Sequence, residues 1–377
     1  MVAGSALCAL ALPFPAEGRE LASPLPAEAS FGRVRALAPP GATHAALYAG
    51  DRRVAAKTVS GARVAFRLVA RPGPYDLRVR FERDRRPVRR DESRDVWLLR
   101  PSAEIARRQR GRDARLAASV AALGSRFPGY AAVWAHDLTR GRTAGWNSDA
   151  SFPAASTVKL GVLVAALRRY GPRPERSSAW PLIRDLALWS SNDASNKLLV
   201  LLGGSEALGS QLVEETMHRM GATSSTFTGN YRLGTSRGIR PLGDAPRPLP
   251  ILTFRRTTAH DLGRMLYELH AAAVGNGLAL RRTGLSRHEA RVAVGLLLSS
   301  TSAGRNGGLF RPWVGPRLPL AQKQGWTTKI RHTAAITYGP AGPRVVVVLT
   351  YSPNLDPTAS ATLGRRVLAL VRGAWKL

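Results

Sequence analysis

A change of hydrophobic period constrains this chain more than any other feature. Between about residues 31 and 100, apolar side chains recur at every second position: Tyr75, Leu77, Val79 and Phe81 alternate with Asp76, Arg78, Arg80 and Glu82. That period belongs to half-buried strands. Further strands are expected at 44–49, 52–58, 62–69 and 95–99, between turn signals such as Gly50-Asp51 and Pro72-Gly73. Short strands at this spacing predict a small antiparallel β-sandwich, immunoglobulin-like in kind, with Arg83 to Arg90 as a solvated hairpin loop. From Pro101 the period lengthens to that of a helix, with Leu116, Val120 and Leu123 at i, i+4 and i+7 before Gly124. The chain therefore divides into a leader-like segment (1–30), an all-β module (31–100) and a larger α+β domain (101–377).

The larger domain is bracketed by helices. Asp356-Pro357 is an N-cap followed by proline at the first helical position, and Leu363, Val367, Leu370 and Val371 form an apolar stripe behind it. Strands are expected near 130–147, 319–327, 332–338 and 344–351, with a largely helical block between the first pair and the last three. Val345 to Leu349 is continuously apolar, as in a strand buried on both faces. The expected fold is a five-stranded antiparallel sheet flanked by the terminal helices, with an all-helical subdomain inserted.

The charge balance says less than its size suggests. The formal net charge is +31, but the 56 basic residues comprise six lysines and fifty arginines. Such a bias reflects genome composition, and no aromatic patch interleaves with the arginines as nucleic-acid binding would need. An anionic cell-wall or membrane surface is the partner this field suits, and nucleic acid is not expected. Cys8 is the single cysteine, which excludes Cys-rich zinc sites, Fe–S clusters and internal disulfides. No paired-histidine spacing, Walker A or G-x-G-x-x-G occurs, so no metal or cofactor is expected. Met1 to Ala16 resembles the second half of a secretory signal without its basic start, pointing to a secreted or extracytoplasmic protein, and a monomer is expected. An unstructured leader or a lipid anchor at Cys8 is the alternative.

Where charge alone matters this chain uses arginine, so each lysine invites a reason. Ser156-Thr157-Val158-Lys159 opens an apolar, buried helix expected to reach Tyr170, and i, i+3 spacing puts Ser156 and Lys159 on one face. A desolvated lysine can lose its proton and act as base towards a serine hydroxyl, which arginine cannot do. Ser190-Ser191-Asn192 follows an expected helix over 180–189, and Lys323-Gln324-Gly325 lies on a late strand. Together they offer a nucleophile (Ser156), a proton-relay hydroxyl (Ser190), an amide for a substrate carbonyl (Asn192) and a cation for an anionic group (Lys323). Gly325 permits close backbone approach, and the N–H groups of Ser156 and Trp326 are oxyanion-hole candidates. Gly234-Thr235-Ser236-Arg237-Gly238 spells a nucleophile elbow but lacks the strand and helix that motif requires.

The order S-x-x-K, S-x-N, K-x-G over residues 103–377 resembles the penicillin-recognising serine enzymes, class A β-lactamases most closely. Phe152-Pro153-Ala154-Ala155, Asp193-Ala194-Ser195-Asn196 and Arg256-Thr257-Thr258 add to the resemblance. It implies a β-lactamase/transpeptidase-like fold and acylation of Ser156 by a β-lactam or a D-Ala-D-Ala-like group of a peptidoglycan stem. Lys159 would assist, Ser190 would relay the proton to the leaving nitrogen, and Asn192 would bind the acyl side chain. Lys323 and Arg331 would hold the substrate carboxylate. Three departures stand out. The middle motif has Ser191 where the family usually has Asp, and Gln324 replaces a hydroxyl expected at the substrate carboxylate. The Ω-loop glutamate that deacylates class A enzymes is missing; between Gly221 and Arg256 the one acid is Asp244, a candidate deacylation base. The alternatives to a hydrolase are therefore a slow-deacylating, peptidoglycan-acting acyl-enzyme and a non-catalytic cell-envelope binding protein. Glu214 and Glu215 are expected to face solvent.

Overall fold

In the computed structural model, which describes residues 19–68, 71–231, 255–302, 307–315 and 318–375, the change of period becomes a change of architecture. Strands Gly73–Arg83 and Arg86–Leu98 form a long hairpin flanked by His44–Ala49 and Arg52–Thr58. The arginine-rich run is strand rather than loop. Asp84 and Arg85 alone make the turn, both with positive φ, as a two-residue hairpin connection requires. Two segments assigned above to the leader, Arg19–Glu20 and Ala29–Ser30, pair in parallel with Arg86–Leu98. The result is a six-stranded mixed sheet carrying a two-stranded ribbon, Arg33–Leu37 with Arg63–Arg67, rather than two comparable sheets of an immunoglobulin sandwich. Leu47, Leu77, Val79 and Phe81 fill the core between them.

The larger sheet runs Leu320–Trp326, Ile330–Gly339, Gly342–Tyr351, Tyr130–Asp137, Arg142–Trp146, all antiparallel. A sixth, two-residue strand, Gly111–Arg112, adds in parallel, so five strands was one too few. Helices α1 (Ala114–Gly124), α2 (Lys159–Tyr170), α3 (Trp180–Trp189), α4 (Asn192–Gly203), α5 (Glu206–Arg219), α6 (Ala259–Ala273), α7 (Gly277–Thr283), α8 (Arg287–Ser302) and α9 (Pro357–Ala374) surround it. Alternation along Gly342–Tyr351 divides the core. Val346 and Val348 face α1 and α9, while Val345, Val347 and Leu349 face the helical block. Both faces are covered, which is why this strand reads as an unbroken apolar run. Asp356 caps α9 through the N–H groups of Thr358 and Ala359, the bond its sequence position predicts.

The β module is seated on α8. His288 bridges two buried carboxylates, with Nδ1 2.6 Å from Glu28 and Nε2 3.3 Å from Glu175. Trp97 Nε1 donates to Ser299 Oγ at 2.8 Å. The backbones meet at Gly295, where a Cβ would lie 2.2 Å from the Ala27 carbonyl. Burial alone would lower His288, but its bonds to Glu175 and Glu28 outweigh that and push it up to about 9. Glu175 is held down at about 2, its burial outweighed by the His288 and Arg173 hydrogen bonds.

Candidate active site

The nucleophile turn is positioned by backbone pairing on both sides. Phe152 and Pro153 pair with Thr257 and Arg256, and Ala154 N–H donates to the Arg255 carbonyl at 3.1 Å. His332 accepts from Thr350 N–H at Nδ1, which leaves Nε2–H to donate to the Pro153 carbonyl at 2.9 Å. Buried in this way, His332 falls to about 4 and stays neutral. Ala155 takes a left-handed conformation at φ 47°, and Ser156 lies in the following turn rather than within the helix. Lys159 is the first residue of α2, tied back by its N–H to the Ser156 carbonyl at 3.3 Å. Bonds of this i to i+3 kind stack Ser156 over Lys159, so the expected shared face survives the later helix start.

Lys159 and Lys323 converge on Ser190. The Lys159 ammonium nitrogen donates to the Ser190 carbonyl at 2.6 Å and to Asn192 Oδ1 at 2.7 Å. Lys323 donates to the Ser190 hydroxyl at 2.7 Å. Ser190 presents both groups because it closes α3 in the left-handed conformation, φ 56° and ψ 34°. Such strain in a non-glycine residue persists only where its surroundings over-determine it. Ser191 then caps α4, its hydroxyl accepting from Ala194 N–H at 3.1 Å. An aspartate would do the same work, so the altered middle motif keeps its capping role and loses only a charge.

The edge strand supplies the other wall. Gly325 packs so closely on the turn that a Cβ there would stand 3.0 Å from both Ser156 N and Ala155 Cβ. Trp326, 64% exposed, carries the Arg331 guanidinium over its ring at 5.2 Å. Arg331 is otherwise occupied by the Thr327 and Ile330 carbonyls of its own hairpin. Gln324 is opposite Thr333 in the register and lines a 290 Å3 cavity towards the start of α9, so strand alternation sets it on the face away from Lys323. The structure thus gathers Ser156, Lys159, Ser190, Asn192, Lys323 and Gly325, with Trp326 and Arg331 at the rim. Asp244 and the 234–238 elbow lie outside the described residues.

Burial lowers Lys159 to about 6, with help from the positive charges of Lys323 and Arg255; burial alone lowers Lys323 to about 7. Two residues of this site carry no motif. Tyr231 places its ring centre 4.3 Å from Lys159 Nζ, and the Arg255 guanidinium stacks on the same ring at 3.9 Å. Arg255 had one signal, its place directly before Arg256-Thr257-Thr258; Tyr231 had none. Glu214 also departs from expectation, since it accepts the Phe227 N–H at 2.5 Å instead of facing solvent.

The family model for the "Beta-lactamase enzyme family" matches residues 115–172 and 168–371. Among solved structures, PBP-A aligns with TM-score 0.56 and 19% identity over 72% of this chain and 99% of its own. The acyl-enzyme complex of a PBP-A mutant with penicillin G aligns at 0.54 and 19%, over 72% and 99%. A β-lactamase from Sphaerobacter thermophilus aligns at 0.53 and 20%, over 70% and 97%. At these identities the likeness speaks for the fold. A search of the curated proteins finds no match.

Proposed function

Because the chain belongs to the β-lactamase enzyme family, we propose that it is a serine hydrolase of the class A β-lactamase kind, forming an acyl-enzyme on Ser156 with β-lactams or D-Ala-D-Ala-like amides and hydrolysing it. The observation that carries this is the pair of buried lysines meeting at Ser190, one on its carbonyl and one on its hydroxyl. Lys159, depressed to about 6, takes the Ser156 hydroxyl proton as Oγ attacks the carbonyl carbon. The N–H groups of Ser156 and Trp326 receive the oxyanion, since Gly325 lets the edge strand approach the nucleophile turn. The Ser190 hydroxyl hands its proton to the leaving nitrogen and takes one in turn from Lys323, which donates to it. Lys323 and Arg331 attract the substrate carboxylate, and Asn192 the acyl side chain. The apolar start of the chain supports an extracytoplasmic setting, where peptidoglycan stems and an anionic wall are found.

A second reading has its own support: among the described residues, the side chain stacked against Lys159 is the Tyr231 ring. Among the described residues the charges acting on Lys159 are both positive, which favours an acyl-enzyme that persists. Intact mass followed over time with penicillin separates the two. The hydrolase returns to free mass within minutes, and the slow enzyme keeps the adduct. Ser156→Ala is expected to abolish the adduct in either case; an adduct that survives this change would refute both readings.

A further inference from the structure

Tyr231 is fixed more firmly than a wall residue needs to be. Its N–H donates to Asn196 Oδ1 at 2.8 Å, and the preceding carbonyl, Asn230, accepts from Arg255 Nη1 at 2.7 Å. Asn196 stands four residues beyond Asn192 on α4, so one helix face holds both the Lys159 acceptor and the Tyr231 backbone. Tyr231 is only 8% exposed, and among the described residues its hydroxyl has no hydrogen-bond partner. Burial raises that phenol well above its ordinary range, which keeps it neutral and unsuited to proton transfer. What the side chain offers the site is its aromatic face, and two cations share it: Lys159 at 4.3 Å and Arg255 at 3.9 Å.

We propose that Tyr231 and Arg255 are a positioning pair that poises Lys159 as the base for Ser156, the ring stabilising its ammonium form and the stacked guanidinium opposing it. The chemistry of the step explains the arrangement. When the Ser156 O–H bond breaks and the new N–H forms, Lys159 passes from amine to ammonium while Oγ bonds the carbonyl carbon. A free amine meets its two acceptors, Ser190 O and Asn192 Oδ1, with two N–H bonds. The ammonium gains a third N–H, and an aromatic face attracts a cation. Tyr231 therefore favours the state that appears as Ser156 attacks. Arg255 and Lys323 favour the amine that must exist beforehand.

Among the described residues, other charges on the elements packed around α2 do not supply this balance. Asp193 and Lys197 of α4 pair with each other at 2.8 Å on the surface. Glu214 of α5 accepts from Phe227 N–H. On α8, Glu289 accepts from Ser286 N–H and lies against Gly171, beyond the far end of α2. Asp185 lies one and a half turns before the Ser190 cap on α3. None of these acts on Lys159, whereas Lys323 and Arg255 do.

The inference rests on acylation at Ser156, and its test is chosen to be independent of substrate. With six lysines in the chain, the full-length protein labelled with 13C at lysine Cε gives few enough signals for Lys159 to be followed by NMR titration. Arg255→Gln is expected to move the Lys159 midpoint up by roughly one pH unit, and Tyr231→Leu to move it down by roughly half a unit. Tyr231→Phe and Arg255→Lys leave it in place, since the first keeps the ring and the second the charge. The acid limb of penicillin acylation should move with the midpoint in each variant. A midpoint indifferent to both Arg255→Gln and Tyr231→Leu, or displaced in the same direction by both, overturns the proposal. Should Tyr231→Leu fail to fold, the arginine pair decides alone: Arg255→Gln must shift the midpoint and Arg255→Lys must not. A protein whose midpoints respond as stated but which never takes up penicillin would sink the acylation reading and leave the poising intact.

Discussion

At the Ser156 site two lysines are buried among carbonyls, hydroxyls, an aromatic ring and other cations; at the seam between the β module and α8 a half-buried histidine lies between two carboxylates. Burial opposes the charge of all three groups, and the outcomes are opposite. Lys159 and Lys323 fall to about 6 and about 7, while His288 rises to about 9. The difference lies in the partners. Neutral acceptors satisfy a lysine's hydrogen bonds without repaying the loss of water around its charge, so the proton becomes easy to remove. Glu28 and Glu175 compensate the His288 charge, so it becomes a fixed tie. One cluster depresses its cations, and the other uses opposite charge to hold two parts of the chain together.

The comparison breaks most easily at Lys159. Lys159→Met should reduce the acylation rate by a factor on the order of 10³ without lowering stability by more than about 1 kcal/mol near pH 6, because a buried cation is removed along with its hydrogen bonds. The sign follows from linkage. Between about 6 and the ordinary lysine value of 10.5, the unfolded chain holds a proton that the folded chain does not. Wild-type stability from this group therefore rises with pH through that window. The advantage of the methionine variant is then largest at the acid end and shrinks on the alkaline side. A large stability loss at pH 6 in chemical denaturation would mean that Lys159 is a structural tie like His288.

His288→Gln tests the other cluster. It leaves Glu28 and Glu175 buried beside one another, and a loss of about 3 kcal/mol is expected at pH 6. The group's folded value is raised, so its stabilisation is complete below the ordinary histidine value of 6.5 and disappears as pH climbs through about 9. Denaturation midpoints of the wild type should fall across that interval, and those of the variant should stay level by comparison. Parallel curves would refute the tie. The smallest effect belongs to Ser191→Ala, which removes the α4 cap and should lower stability by about 1 kcal/mol with acylation nearly unchanged. A loss of acylation greater than tenfold would show that Ser191 serves the chemistry as well as the helix.

Much of this was legible in the sequence because it depends on neighbours close along the chain. The Asp356-Pro357 start of α9, the strand from Gly342 to Tyr351 and the end of α3 at Ser190 all follow from caps and periods. So does the pairing of Ser156 with Lys159, although the helix begins three residues later than the pattern suggests. The misreadings share a cause. The Arg83 to Arg90 run looked like a loop because its charge outweighed its place in a hairpin, and strand pairing across the sheet prevailed. Gln324 was expected at the substrate because its motif neighbours are there; alternation along the strand places it on the far face.

By itself the sequence indicated the change of period near Pro101, the helices and strands of the larger domain and the serine, lysine and asparagine set of the candidate site, since these are recorded in local patterns of period, capping and spacing. The tertiary structure decided which charges are paired. Glu28 and His288 are 260 positions apart, and Tyr231 meets Lys159 and Arg255 only after three separate segments have packed. Desolvation and Coulomb interactions act through space and have no period along the chain. The candidate residues were therefore written in the sequence, and their proton affinities were set by the fold.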